Sequence, residues 1–147
     1  MPTRVFIFDL DGTICNNSHR QHYVQGEKKD WDAFSDACGL DTPHIHILEL
    51  AQVLARSYML IFLTGRSIRA QALTEDWLRQ YGLWSGPRLF MRAEGDYRPD
   101  DVIKSELMDR ILAEGYEVIM AFDDRTSVVK MWRARGIPCA QVADGDF

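Results

Sequence analysis

At 147 residues the chain has the length of one ordinary domain, enough to bury a core without disulfides or structural metals. Its 46% hydrophobic and 27% charged residues form a globular balance, and no apolar run approaches the roughly 18 residues a membrane span needs. A net charge of −5 argues against tight non-specific binding along a nucleic-acid duplex, which relies on many Lys and Arg contacts, but not against an enzyme that grips only a chain end.

Met1-Pro2-Thr3-Arg4 leads into Val5-Phe6-Ile7-Phe8, too short for a secretory core and followed at once by charges, so a soluble cytoplasmic protein is expected. Val5 to Leu10 is a short apolar run ending in acids and reads as a buried strand. The stretch 16–41 then breaks the pattern. Trp31, Phe34 and Cys38 fall at helical spacing, with Asp30 as a cap, giving a small helical flap whose face either packs on the core or forms a stacking platform for a base. Thr42-Pro43 resembles an N-cap followed by proline at the first helical position, with Ile47, Leu48, Ala51, Leu54 and Ala55 as the apolar face behind it.

Tyr58 to Leu63 is the second strand. Ser67 caps the next helix, whose stripe is Ala70, Leu73, Trp77, Leu78 and Tyr81, with Gly82 as its stop. Leu89 to Met91 is a third strand, and Asp100 or Asp101 starts a helix with Ile103, Leu107, Ile111 and Leu112 inward and Gly115 at its end. Val118 to Phe122 is the fourth strand, Thr126 to Arg135 the last helix, stopped by Gly136, and Cys139 to Val142 the fifth strand. Alternating strands and helices with two-sided apolar strands predict an α/β fold: a Rossmann-like three-layer sandwich with a central parallel sheet of about five strands and a short helical flap after strand 1. Residues 1–147 are expected to form a single domain, with the flap at about 16–41. The three cysteines, Cys15, Cys38 and Cys139, are odd in number and form no C-x-x-C pair, so buried reduced thiols are expected rather than a disulfide framework or zinc site.

In such sheets the ligand sits beyond the carboxyl ends of the strands. Asp9-Leu10-Asp11-Gly12-Thr13 follows the first strand, Thr64-Gly65-Arg66 the second and Asp123-Asp124 the fourth. Residues two apart in an extended chain point the same way, so Asp9 and Asp11 are expected to reach one space, with Leu10 buried opposite. Gly12 lets the chain turn away with unusual dihedrals. Carboxylates converging in one crevice repel each other unless one is protonated or a cation intervenes. Magnesium fits, since it is usually held by one or two carboxylates, water and substrate phosphate.

Phe8-Asp9-Leu10-Asp11-Gly12-Thr13 resembles the first signature of the haloacid dehalogenase-like hydrolase superfamily, Leu63-Thr64-Gly65-Arg66 the second, Lys104 the third and Phe122-Asp123-Asp124-Arg125 the fourth. A closer similarity is to the phosphatase domain of bacteriophage polynucleotide kinase/phosphatase, through Gly95-Asp96, Arg98, Asp100-Asp101-Val102-Ile103-Lys104, Val128-Val129-Lys130-Met131-Trp132-Arg133 and the ending Gln141 to Phe147.

The resemblance implies a magnesium-dependent phosphatase working through an aspartyl-phosphate. It makes Asp9 the nucleophile and a metal ligand, and Asp11 the acid/base, touching the metal through its backbone carbonyl. Asp124 becomes the second carboxylate ligand, with Asp123 beside it as ligand or anchor. Thr64 holds a phosphate oxygen, Lys104 bridges nucleophile and phosphate, and Arg66 contacts substrate. Asp100, four residues before Lys104, is placed to hold that amine, and Asp100 and Arg125 complete the expected substrate-binding set with Arg66. The implied substrate is a nucleic-acid 3′ end bearing a terminal phosphate. Arg66, Arg69, Arg92, Arg98, Arg125, Lys130 and Arg133 are candidate phosphate contacts. No G-x-x-x-x-G-K-[ST] run occurs, so a kinase or ligase partner would be a separate chain. A small-molecule phosphatase acting on nucleoside monophosphates, and a non-catalytic nucleic-acid-binding protein, are the alternative readings. His44 and His46 read as solvated or capping residues at a helix start, while His19 and His22 in the flap are weaker candidates for substrate contact.

Overall fold

A computed structural model describes residues 1–84, 86 and 88–147. Its centre is a five-stranded parallel sheet built from β1 (Thr3–Phe8), β4 (Met59–Ser67), β5 (Leu89–Arg92), β6 (Tyr116–Asp123) and β7 (Cys139–Gln141), in the order β5-β4-β1-β6-β7. The crossovers carry α2 (Ile45–Ala55), α3 (Gln71–Gln80), α4 (Asp100–Ala113) and α5 (Thr126–Ala134). The expected α/β sandwich with a five-stranded parallel sheet is therefore what the chain forms.

Alternation along the strands explains the three layers. Val5 and Ile7 of β1, with Ile61 and Leu63 of β4, pack against Ile103, Leu107, Met108 and Ile111 of α4 and Val128, Val129 and Trp132 of α5. Phe8 of β1, with Leu60 and Phe62 of β4, faces the other way, onto Ile47, Leu48 and Ala51 of α2 and Trp77 and Leu78 of α3. Each such side chain contributes roughly 1.5–3 kcal/mol on burial, so both faces of the sheet are committed and a one-residue slip is prohibitive. Phe8 stacks on Phe122 across the neighbouring strand with ring centroids 4.4 Å apart.

The topology sets the position of the site. From β1 the chain moves to β4 and then β5 on one side, and later to β6 and β7 on the other. Phe8 is in register with both Phe62 and Phe122. The strand order thus reverses at the carboxyl end of β1, where the next residue is Asp9.

Four local expectations are corrected. Thr42-Pro43 does not start a helix: it forms β3 (Thr42–Pro43), paired antiparallel with β2 (Cys15–Asn16), and His44 takes the N-cap position of α2. The chain leaving β1 supplies a pairing edge there, with the His44 N–H donating to the Ile14 carbonyl at 2.7 Å, and this tertiary pairing overrides the local cap signal. Ser67 caps only a short 3₁₀ turn, Ile68–Ala70, and α3 begins after it. β4 is longer than expected and carries Thr64-Gly65-Arg66 within the strand. In the flap, α1 (Trp31–Asp36) is capped by Asp30 as expected, but Cys38 lies in a separate 3₁₀ turn and is buried, while Trp31 is 49% exposed. The three residues therefore do not form one core-facing helix face. All three cysteines are free and buried, and burial pushes the Cys139 thiol up to about 12. Among the described residues no helix is long and apolar enough to cross a membrane.

Candidate active site

Asp9 leaves β1 with its N–H donating to the Phe122 carbonyl at 3.0 Å, which locks the residue beside the end of β6. Asp123 ends β6 and Asp124 follows it. One carboxylate oxygen from each of Asp9, Asp123 and Asp124 lies within 4.8 Å of the other two, and all three residues are buried. Lys104 reaches them from α4. Its ammonium donates to Asp9 Oδ1 and to Asp123 Oδ2, both at 2.8 Å, with the side chain almost wholly buried. The Thr13 hydroxyl donates to Asp9 Oδ2 at 3.0 Å. Asp123 Oδ1 accepts the backbone N–H groups of Asp124 and Arg125, which fixes the turn after β6.

Burial, then the neighbouring Asp123, pushes the Asp9 carboxyl well above the ordinary carboxylate range, with Lys104 opposing. Burial raises Asp124 as well. On Lys104 burial works against the charge, but Asp123 and Asp9 outweigh it and hold the ammonium well above its usual value. Three carboxylates and one ammonium leave two negative charges, an all-oxygen donor set that matches a hard divalent cation.

Close approach at the site is bought with glycine. A Cβ on Gly12, which has φ +82°, would sit 2.1 Å from Asp124 Oδ2. A Cβ on Gly145 would sit 1.9 Å from the Asp124 carbonyl oxygen, and the Gly145 carbonyl accepts the Thr126 N–H.

Asp11 has a different environment. Its carboxylate accepts from Arg66 (Nη2, 2.7 Å) and from Arg20 (Nη2, 2.6 Å). Burial would raise its pKa, but Arg66 and Arg20 more than offset this and hold the carboxyl below the usual range. Both guanidiniums also bind Asp41, which is almost fully buried: Arg20 in a fork at 2.8 Å to each oxygen, Arg66 at 2.9 Å. Arg66 further donates to the Thr74 hydroxyl, and His19 Nε2 lies 2.7 Å from Asp41 Oδ1. Of the four expected metal positions, then, Asp9, Asp123 and Asp124 bring carboxylates together, whereas the Asp11 carboxylate is engaged by two arginines.

Thr64 is buried at the cleft floor, its Oγ1 accepting the Arg66 N–H at 3.1 Å. Asp100 does not hold the Lys104 amine: it accepts from the Arg92 guanidinium, with Arg125 Nε 3.5 Å away, and Asp123 takes the amine instead. Lys104 is long enough to pass its own helix turn and reach the strand ends, which releases Asp100 to the cleft wall. Arg125 also lies over the Phe147 ring at 4.6 Å. Of the candidate phosphate contacts, Arg66, Arg69, Arg92, Arg98 and Arg125 line the cleft, while Lys130 and Arg133 do not. His19 and His22 do not line it either.

Sequence reasoning missed Arg20 and Asp41. Arg20 reads as one polar residue in a polar stretch and Asp41 as a loop acid. The one available signal was an arginine nine residues after Asp11 inside the segment that must fold back over the strand ends.

A parallel sheet with Asp9, Thr64 and the Asp123-Asp124 pair at the carboxyl ends of its strands, met by Lys104 from α4, defines a haloacid dehalogenase-like hydrolase. The model of the family described as the polynucleotide kinase PNKP phosphatase domain matches residues 3–147, and the chain belongs to that family. The putative bifunctional polynucleotide kinase/RNA ligase of Autographa californica nuclear polyhedrosis virus is 29% identical over 137 residues, covering 92% of this chain and 18% of the viral protein. A chain of the solved Pnkp1/Rnl/Hen1 RNA repair complex superimposes with a TM-score of 0.85 at 31% identity, over 99% of this chain and 44% of its own length. The chain thus spans less than half of either relative. The class C acid phosphatase from Bacillus anthracis shares the fold, with a TM-score of 0.63 at 12% identity, over 97% of this chain and 69% of its own.

Proposed function

We propose that residues 1–147 act as one magnesium-dependent phosphatase domain that removes the 3′-terminal phosphate from DNA or RNA through an aspartyl-phosphate. The observation that carries this reading is the Asp9 carboxylate, held between Lys104 and the Asp123-Asp124 pair where the strand order reverses. A carboxylate is a competent nucleophile when it is positioned and its charge is shared. Membership of a polynucleotide kinase phosphatase-domain family supports the polymer substrate.

Asp9, Asp123 and Asp124 would hold the magnesium ion, together with the Asp11 backbone carbonyl. When bound it would supply charge neutralisation for the phosphoryl oxygens. The chain's own groups do the rest. Asp9 attacks phosphorus as the bond to the 3′ oxygen breaks, and Asp11 gives that oxygen a proton. Water then attacks the phosphorus of the aspartyl-phosphate, Asp11 takes the water's proton, and inorganic phosphate leaves with Asp9 restored. Lys104 and Thr64 hold the phosphoryl oxygens throughout. Arg66 and Arg20 keep Asp11 ionised for the second step. For the first, a substrate phosphate competing with Asp11 for the Arg66 guanidinium would free Asp11 to carry a proton. Asp100 and Arg125 on the cleft wall complete the substrate contacts. The product is a free 3′-hydroxyl, which a ligase requires. A kinase or ligase acting on the same nucleic-acid end in the cytoplasm is the expected partner, in line with the kinase/ligase and repair-complex names of the relatives.

The test is phosphate release from matched oligonucleotides phosphorylated at the 3′, 5′ or 2′ position, with and without magnesium. Release confined to the 3′-phosphate and dependent on magnesium is expected. Equal kcat/KM for a 3′-mononucleotide and a 3′-phosphorylated oligonucleotide defeats the polymer assignment. Asp11→Asn is expected to lower turnover at least about 10²-fold with the fold intact, and near-normal turnover removes the acid/base role. Gly12→Ala displaces Asp124, because the new Cβ meets its carboxylate. The magnesium concentration giving half-maximal activity is expected to rise at least about tenfold, by analogy with other losses of ligand orientation. An unchanged magnesium titration excludes Asp124 as a ligand.

A further inference from the structure

The cleft extends well beyond the carboxylates. Its volume is about 500 Å³, and it runs outward between the flap and the loop joining β5 to α4. Two aromatic side chains stand at its mouth, Trp31 at the start of α1 and Tyr97 on that loop. A second, more open depression is lined by Lys28, Lys29, Asp30 and Asp32 together with the same Trp31 and Tyr97. The aromatic pair is thus shared by the cleft that holds the carboxylates and the depression that holds the two lysines.

Tyr97 is 82% exposed and Trp31 49%, so both rings keep surface open to solvent, with the Lys29 ammonium 5.9 Å from the Trp31 ring centroid. Both are nevertheless held in place. The Trp31 ring meets Phe34 edge to face, at 5.8 Å and 86°. Phe34 in turn lies under the Arg20 guanidinium at 4.3 Å, and Arg20 donates to the Phe34 carbonyl. Trp31 is thus tied through one ring to the arginine that binds Asp11. On the other wall, Arg92 donates to the carbonyls of Asp96 and Arg98, and the Arg98 side chain bridges Asp96 and Glu106. Tyr97 is presented from a loop pinned on both sides of it.

We propose that Trp31 and Tyr97 form an aromatic gate that stacks nucleobases of an unpaired polynucleotide end, with Lys28 and Lys29 receiving phosphates further along the strand. The inference rests on the polynucleotide reading above and names how that substrate is recognised. Aromatic faces next to cations match a chain in which bases alternate with phosphates. Asp30, which caps α1, and Asp32, 3.8 Å from Arg69, line the same depression and keep their charges, so the lysines act as donors to individual phosphates rather than as a net positive field. Stacking tolerates any base, so the gate selects an unpaired end rather than a sequence. Bases inside a duplex have no free face to offer it.

The test compares kcat/KM for a short single-stranded 3′-phosphorylated oligonucleotide with that for glycerol 2-phosphate, a secondary phosphate ester without a base. Trp31→Ala and Tyr97→Ala are each expected to lower this ratio about tenfold, from the usual worth of one stacked base, with the loss in KM for the oligonucleotide. Trp31→Phe and Tyr97→Phe are expected to restore it, which separates stacking from misfolding. The K28Q/K29Q double variant is expected to flatten the dependence of that KM on salt. A parent enzyme with no preference for the oligonucleotide overturns the polynucleotide reading and the gate with it. A preference that survives in both alanine variants, or that the phenylalanine variants fail to restore, overturns the gate alone. An unchanged salt slope removes the lysines from it.

Discussion

Asp9→Asn is expected to reduce phosphate release by at least about 10⁴-fold, the scale seen when a nucleophile is removed from a cooperating set. The amide keeps the shape of the carboxylate: its oxygen can accept from the Lys104 ammonium while its NH2 donates to the Thr13 hydroxyl oxygen, which reverses that bond. Folding is therefore expected to survive. The substitution also removes one of three crowded carboxylates, so Lys104 retains Asp123 as an ionised partner. Two measurements check this: turnover on a 3′-phosphorylated oligonucleotide at saturating magnesium, and thermal unfolding of the same sample. Residual activity within about a hundredfold of the parent would mean that another group attacks phosphorus.

Lys104→Met carries the second large effect, and it falls on stability as well as rate. The ammonium is the one cation whose hydrogen bonds to Asp9 and Asp123 appear among the described residues. Breaking a buried pair by removing one partner typically costs about 3–5 kcal/mol, because the other charge is left uncompensated. Here two carboxylates lose a partner. The expected result is a lower urea midpoint without magnesium, with the m-value unchanged. Magnesium is expected to return part of the loss, since a ligand that binds only the folded state stabilises it by mass action. Turnover is expected to stay at least about 10²-fold down even when the ion has restored folding, because the lost group is a preorganised donor to the phosphoryl oxygens. A variant as stable as the parent in chelator would show that Lys104 is not what balances these acids.

Much of this was visible in the chain because the responsible forces are local. An apolar run ended by Asp9, and another ended by Asp123 and Asp124, can be read directly, and parallel pairing then brings their ends together. The five strands and their order along the chain follow from the same reasoning. What stayed hidden depends on chain segments meeting at a distance. Asp41 receives Arg20 from 21 residues away and Arg66 from 25 residues away, and no spacing rule links the three. Thr42-Pro43 carries a sound helix-start signal that lost to a partner strand 27 positions earlier. Asp100 sits one turn before Lys104, yet the lysine stem carries its charge past that turn and Arg92 takes the acid. Helical spacing puts Trp31 on one face with Phe34 and Cys38, because periodicity cannot see that the chain turns between Phe34 and Cys38.

Arg20 is itself a flap residue, tied to the rest of the flap through the Phe34 carbonyl and reaching out of it to Asp11. A hydrogen bond tolerates only a few tenths of an ångström of stretch before it is lost. Because Arg20 and Phe34 travel together, a swing of the flap that carries Arg20 outward draws it off Asp11. The acid's affinity for a proton then rises as the doorway opens, so admission and arming are geared to the same lever.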